Sequence, residues 1–150
     1  MIDDHAARMD RALLALDGLS LGDSFGERFF GPPDVVAGNL VHRRLPAGVW
    51  RYTDDSEMSL AIVDVLRRRG VVDRDDLAAD LARRYARDPM RGYGGTAHEI
   101  LQALVDGADW RIVTPAVFSG MGSMGNGAAM RVAPIGAYWA DDLDRVVAEA

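Results

Sequence analysis

The spacing of the apolar residues constrains this chain most. Met58, Ala61, Ile62, Val65 and Leu66 recur at i, i+3, i+4, i+7 and i+8, which predicts an amphipathic helix. Arg67-Arg68-Arg69 and then Gly70 close it, because cations complement the carbonyl end of a helix and glycine accepts the left-handed residue that follows. Asp73, three residues ahead of Asp76, predicts the cap of a second helix. Its inward stripe is Leu77, Ala78, Leu81 and Tyr85, and it ends near Asp88-Pro89. Thr96 is the predicted cap of a third, with Ala97, Ile100, Leu101 and Leu104 inward and Gly107 as its stop. Near the start, Ala7, Leu13, Leu14, Leu16, Leu19 and Leu21 predict a helix that is apolar on most sides and ends before Gly22-Asp23-Ser24-Phe25-Gly26. Such a helix belongs at the centre of a bundle. No strand-like alternation is sustained and no internal repeat occurs, so the expected fold class is all-α, an orthogonal multi-helix bundle over residues 1–150 as a single domain.

Two glycine-rich stretches interrupt the helices. Residues 30–50 contain Gly31-Pro32-Pro33, Gly38-Asn39 and Pro46-Ala47-Gly48, which predicts a long loop with a short strand-like piece at residues 40–44. Loops of that length in compact domains are often functional. The second stretch, FSGMGSMGNGAAMRVAPIG, has four glycines before a helix is predicted to resume near Ala128.

Composition narrows the function classes. At 150 residues and 49% apolar, the chain can bury a core of its own. A formal charge of −6 argues against nucleic-acid binding through a broad basic face, because that binding neutralises phosphates with cations; a local phosphate pocket stays open. The absence of cysteine removes disulfides, thiolate ligands and cysteine nucleophiles, and fits a reducing compartment. MIDDHAARMD lacks the apolar core of a signal peptide, and no apolar run approaches the roughly 20 residues of a membrane span. The expectation is a soluble cytoplasmic protein without membrane contact.

Three stretches carry candidate chemistry. In YTDDSEM, residues 52–58, Thr53, Asp54 and Asp55 stand directly ahead of the Met58 helix. One reading is helix capping, since these side chains accept from free N–H groups and suit the helix dipole; on residue chemistry alone it is the stronger. The other is that a hydroxyl and two carboxylates splay around a hard cation such as Mg²⁺, which prefers oxygen ligands and keeps several waters. In GLSLGDSFGERF, residues 18–29, glycines would let two backbones approach, and Asp23 would cap a turn. The formal G-x-S-x-G around Ser20 lacks the strand-to-helix setting of a nucleophile elbow. In GSMGNGAAMR, residues 122–131, small residues and successive N–H groups suit phosphate or an ordinary flexible loop equally, and the Walker A lysine is absent. His5, His42 and His98 lack metal-ligand spacing, and Tyr85, Tyr93, Trp50, Trp110 and Trp139 are read as packing residues.

Taken in order, these motifs resemble the ADP-ribosylglycohydrolase family, which includes the dinitrogenase-reductase-activating glycohydrolases. GLSLGDSFG resembles its GxxxGDxxG, YTDDSEM its T-D-D-T/S-x-M, RGYGGT its glycine turn before a helix, and GNGAAMRVAPIG its G-N-G-x-x-M-R-x-x-P. The resemblance implies an all-α fold around two Mg²⁺ ions and hydrolysis of the N- or O-glycosidic bond between ADP-ribose and a modified side chain or small molecule. By motif, Thr53, Asp54 and Asp55 would be metal ligands, with Asp55 also a catalytic candidate. Ser123, Gly125, Asn126 and Gly127 would line the ADP-ribose pocket. Many family members carry a glutamate four residues past the second glycine of GDxxG; that position is Phe30 here, and Glu27 is the nearest acid and the candidate for its role. The family's C-terminal D-x-D-T-like acids have no counterpart, so the sequence resembles an N-terminal half, incomplete at its C-terminus. A non-catalytic binding or structural protein of the same fold is the alternative. A half-bundle should expose apolar stripes such as Met58 to Leu66 and self-associate, or pair with a missing C-terminal half.

Overall fold

The computed structural model describes residues 4–150, and every regular element among them is helical. The first three residues of the acidic N-terminal stretch lie outside the described part. The helices are α1 (His5–Glu27), α2 (Pro33–Val41), α3 (Asp54–Arg69), α4 (Arg74–Arg87), α5 (Gly95–Val105), α6 (Trp110–Val113), α7 (Ala133–Tyr138) and α8 (Leu143–Glu149). Short 3-10 turns at Val117–Gly120 and Ala129–Arg131 join α6 to α7. Among the described residues no helix is long and apolar enough to cross a membrane.

Helix α3 is the hub. Ile62, Val63 and Leu66 pack against Met9, Ala12 and Leu16 of α1 and against Ile135 and Tyr138 of α7. On the opposite side Met58 joins Tyr85 of α4, Leu101 of α5 and Tyr93 in the turn between them. Ala61 and Val65 between these clusters are fully buried as well. The Met58–Leu66 stripe expected to stand open is therefore closed. Its partners α1 and α7 on one side, α4 and α5 on the other, all come from this chain. The helix expected at the centre, α1, is covered on one side alone, and Leu14 and Leu21 are 74% and 64% exposed. The two helices exchange the roles expected of them because α3 has neighbours on both sides and α1 on one.

Several helix ends lie where the sequence placed them. Gly70 takes φ +70° and donates its N–H to the Leu66 carbonyl at 2.8 Å, the left-handed stop of α3. The Asp73 carboxylate accepts from the N–H groups of Asp75 and Asp76 at 3.1 and 2.9 Å, capping α4. Asp73→Ala should cost about 1 kcal/mol, read as a lower urea midpoint at unchanged slope; an unchanged midpoint would mean that this cap contributes nothing.

Other ends differ. Thr96 sits inside the first turn of α5, whose cap position is Gly94. The long loop expected at residues 30–50 contains α2, and the strand-like piece at residues 40–44 is its end. Pro33 starts that helix because the first turn needs no N–H from it and its fixed φ is already helical. Arg43 then turns the chain with φ +48°. Near Ala128 only a 3-10 turn forms, and the α-helix starts at Ala133. The largest difference is α1, which runs through Gly18, Gly22 and Gly26 to Glu27. Each internal glycine costs about 1 kcal/mol relative to alanine, whereas burying Met9 and Leu16 contributes about 1.5–3 kcal/mol apiece. No atom lies within 4 Å of a Cβ built on any of these three glycines, so they permit no close helix contact among the described residues. What the extension does is carry Asp23 to the start of α3.

Candidate metal centre

The start of α3 is held from another helix. Asp23, in the last turns of α1, accepts from the Thr53 N–H at 2.8 Å and the Thr53 hydroxyl at 2.6 Å. Its Oδ2 also accepts from the Ser56 N–H at 3.2 Å and from the Ser56 hydroxyl. The Ser56 N–H that Thr53 would otherwise cap is thus served by Asp23, and Thr53 makes no capping bond with its own side chain. The expectation that Asp23 caps a local turn is corrected: it caps a helix 30 residues on.

A second tether comes from the RGYGG turn. Asp54 donates its N–H to the Arg91 carbonyl at 2.8 Å, and Arg91 donates to the Tyr52 carbonyl at 3.1 Å while its guanidinium lies 4.1 Å from the Tyr52 ring centroid. Gly92 follows with φ +93°, and a Cβ there would stand 3.5 Å from Asp54 Oδ1 and 3.7 Å from the Thr53 Cβ. Gly92→Ala must therefore strain the backbone beside the carboxylates, at about 1–3 kcal/mol. Thermal melting should register that loss, and an unshifted melt would show that the turn relaxes freely.

Asp54 is buried and Asp55 half-buried, and neither is paired with an arginine. Burial first, then the neighbouring Asp23 and Asp54 carboxylates, push Asp55 up to about 6. Burial, only partly offset by backbone N–H groups, likewise raises Asp54, with Asp23 adding repulsion. Tyr93, buried alongside, is pushed up to about 12 by burial and by the Glu57 and Asp54 carboxylates. Two desolvated acids held side by side without a counter-charge among the described residues form a place where a cation lowers the energy. The Thr53 hydroxyl donates to Asp23 Oδ1 at 2.6 Å and lies close to the Asp54 carboxylate, and its oxygen keeps acceptor lone pairs. The donor set of one neutral and two anionic oxygens fits Mg²⁺. Among the described residues no group of three or more His, Asp or Glu side chains converges on one point, so these donors are a partial shell.

Glu57, one turn below, belongs to the framework. It is buried, accepts from Tyr52 Oη at 3.0 Å, and pairs with Arg84 at 2.6 Å; Arg84 also reaches Asp64.

The remaining candidates fall into two groups. The GNGAAMR segment is joined to α3 at Met58: Met130 packs on the Met58 cluster, and Arg131 Nη1 lies 3.7 Å from the Met58 Sδ. The Ala129–Arg131 turn thus docks one helical turn from the carboxylates. Ser123, Gly125 and Asn126 stay exposed in the loop before it, with Gly127 half-buried, and their bonds are local: Gly125 N–H donates to Ser123 Oγ at 3.1 Å, and Asn126 carbonyl accepts from Met130 at 2.9 Å. Glu27 ends α1, exposed, one turn and about 6 Å of helix rise beyond Asp23. The histidines have structural places, with His98 Nδ1 2.8 Å from Tyr85 Oη and His5 Nδ1 2.6 Å from Tyr138 Oη, while His42 is exposed. Sequence reasoning missed the long reach of Asp23 and the approach of Gly92; the acid inside GDxxG and the first glycine of RGYGG were their signals.

The fold and site define an all-helical protein whose candidate binding site is a pair of adjacent carboxylates at one helix start, with the Ala129–Arg131 turn docked one helical turn away. The family is shown by comparison: the ADP-ribosylglycohydrolase model matches residues 4–150, and the chain belongs to that family. It is 38% identical over 145 residues to the ADP-ribosylhydrolase ARH3 of Homo sapiens, covering 87% of this chain and 40% of that protein. To the ADP-ribosylhydrolase ARH3 of Danio rerio it is 35% identical over 130 residues, 80% of this chain and 35% of the relative. The ADP-ribosyl-[dinitrogen reductase] glycohydrolase of Rhodospirillum rubrum is 32% identical over 133 residues, 83% and 43% of the two chains. The chain spans about two fifths of the length of the curated relatives it matches.

Proposed function

We propose that this chain carries the cation- and ADP-ribose-binding face of a Mg²⁺-dependent ADP-ribosyl hydrolase, which cleaves the N- or O-glycosidic bond between ADP-ribose and a modified group. The observation that carries this reading is the Thr53-Asp54-Asp55 cluster: two carboxylates with raised pKa, without an arginine partner among the described residues, beside a hydroxyl whose proton is directed to Asp23. Thr53, Asp54 and Asp55 would hold Mg²⁺, two ions in the complete shell, and the ion supplies charge to orient ribose hydroxyls and to activate water. This chain's own residues do the rest. Asp55 would accept a proton from the attacking water as the C1 bond to the leaving group breaks and pass it to the departing nitrogen or oxygen, and Glu27, exposed one turn along α1, would polarise the reacting group. Ser123, Gly125, Asn126 and Gly127 offer hydroxyl, amide and backbone N–H groups to ribose and pyrophosphate. Such a pocket binds an anion without a basic surface, consistent with a net charge of −6 and with no nucleic-acid role. The cytoplasm is the compartment that a cysteine-free chain of this kind suits.

A second reading, a binding protein of the same fold without turnover, is favoured by the partial donor shell among the described residues. Incubation with an arginine-ADP-ribosylated protein and Mg²⁺, followed by product analysis, separates the readings. Intact ADP-ribose, formed only with Mg²⁺, is the result expected of the hydrolase. Binding of ADP-ribose without release supports the second reading, and AMP as product would replace both with pyrophosphate cleavage.

A further inference from the structure

The bonds around Asp23 bear on how Thr53 is presented. An N-cap threonine ordinarily turns its own oxygen to the N–H of the third helical residue, which spends a lone pair on the helix. Here the third residue is Ser56, and its N–H goes to Asp23 Oδ2. The Thr53 hydroxyl meanwhile donates to Asp23 Oδ1 at 2.6 Å. A hydroxyl has one proton and two lone pairs; with the proton committed and the capping duty taken over, both lone pairs of Thr53 Oγ1 are left for a ligand that accepts no hydrogen bond. Asp23 can do this because α1 continues through its glycines, which brings the carboxylate to the start of α3.

We propose that Asp23 is a positioning residue: by capping α3 in place of Thr53 and accepting the hydrogen bond of its hydroxyl, it presents the Thr53 lone pairs to a divalent cation. The inference rests on the cation reading of residues 53–55. Groups that orient a ligand from behind typically alter metal affinity by about 10–100-fold when removed. Asparagine at position 23 keeps the shape but supplies an N–H₂ that competes for the Thr53 oxygen, so the lone pairs are no longer reserved.

The test is a Mn²⁺ titration of the 150-residue chain, read by water-proton relaxation, in a double-mutant cycle of Asp23→Asn and Thr53→Val. Each single change should weaken Mn²⁺ at least about 10-fold, and the double variant should be no weaker than the worse single one, because Asp23 acts through the Thr53 hydroxyl. Ser56→Ala, which removes a bond to the same carboxylate and leaves Thr53 oriented, should lower stability and keep affinity close to wild type. Losses that multiply in the double variant, or an Asp23→Asn variant that binds as wild type, would overturn the proposal while leaving the cation site standing. Absence of Mn²⁺ binding by the wild type would overturn both. Should Asp23→Asn fail to fold, Thr53→Val against Ser56→Ala decides, and equal loss of affinity in the two overturns the proposal.

Discussion

Asp54→Asn combined with Asp55→Asn should remove both the pH sensitivity of the metal-free protein in mildly acidic solution and its stabilisation by divalent cations. The sign follows from the raised pKa values of both groups. Asp55 loses its proton near pH 3.8 when unfolded and near 6 when folded, and Asp54 shifts in the same direction. Between those limits the folded state holds more protons than the unfolded one, so stability contributed by these groups falls as pH rises and the full penalty is present above about 6. Below 3.8 both states are protonated and the penalty vanishes. The variant lacks this component, so the wild-type-minus-variant difference in unfolding free energy should decline from pH 4 to 6 and then level off. A cation that binds the folded cluster reverses the penalty, by about 2.7 kcal/mol when present at 100 times its dissociation constant. Denaturation across pH with and without Mg²⁺ measures both effects, and a variant that Mg²⁺ stabilises as much as wild type would place the cation elsewhere.

Arg84→Ala should be the most damaging single change to stability outside the hydrophobic clusters. Arg84 and Glu57 have side chains 13% and 8% exposed, and their 2.6 Å pair is extended by Asp64 on the same guanidinium. Removing the cation leaves Glu57 buried with Tyr52 Oη as its remaining donor, at a cost of about 3–5 kcal/mol. The loss arises from stranding a charge. The paired replacement Arg84→Met with Glu57→Leu should accordingly recover most of it, since well-packed apolar residues often replace a buried ion pair at little cost. Urea denaturation of the two variants separates these cases. A double variant as unstable as Arg84→Ala would mean that the pair itself, and the turn of α3 it braces beneath Asp54, is indispensable.

The parts of the fold legible in the sequence were those set by local periodicity and chemistry. The stripe of α3, its Gly70 stop and the Asp73 cap each follow from residues within a few positions of one another. The misread parts depended on partners far along the chain. Glycines at 18, 22 and 26 are local breakers, and nothing near them announces that Asp23 has four donors waiting 30 and 33 residues on. Pro32-Pro33 reads as loop punctuation unless Pro33 is seen as a first helical residue. Similarly, which of two apolar helices becomes the hub is decided by how many neighbours reach it, and no window of sequence contains that information. At the site, motif order brought together Thr53-Asp54-Asp55 and the GNGAAMR segment, and the Arg131–Met58 contact supplies a physical link between them. YTDDSEM alone does not show that the Ser56 N–H is capped from α1 by Asp23, which leaves Thr53 without that duty.

If cation and ADP-ribose meet at this helix start, each strengthens the binding of the other, and calorimetric titration of ADP-ribose with Mg²⁺ or with a chelator measures that coupling. Wild type should bind ADP-ribose at least about 10-fold more tightly with Mg²⁺, a coupling of about 1.4 kcal/mol, and Asp54→Ala with Asp55→Ala should abolish that difference. Equal affinity with and without Mg²⁺, or a Mg²⁺ effect that survives the loss of both carboxylates, would contradict the assignment.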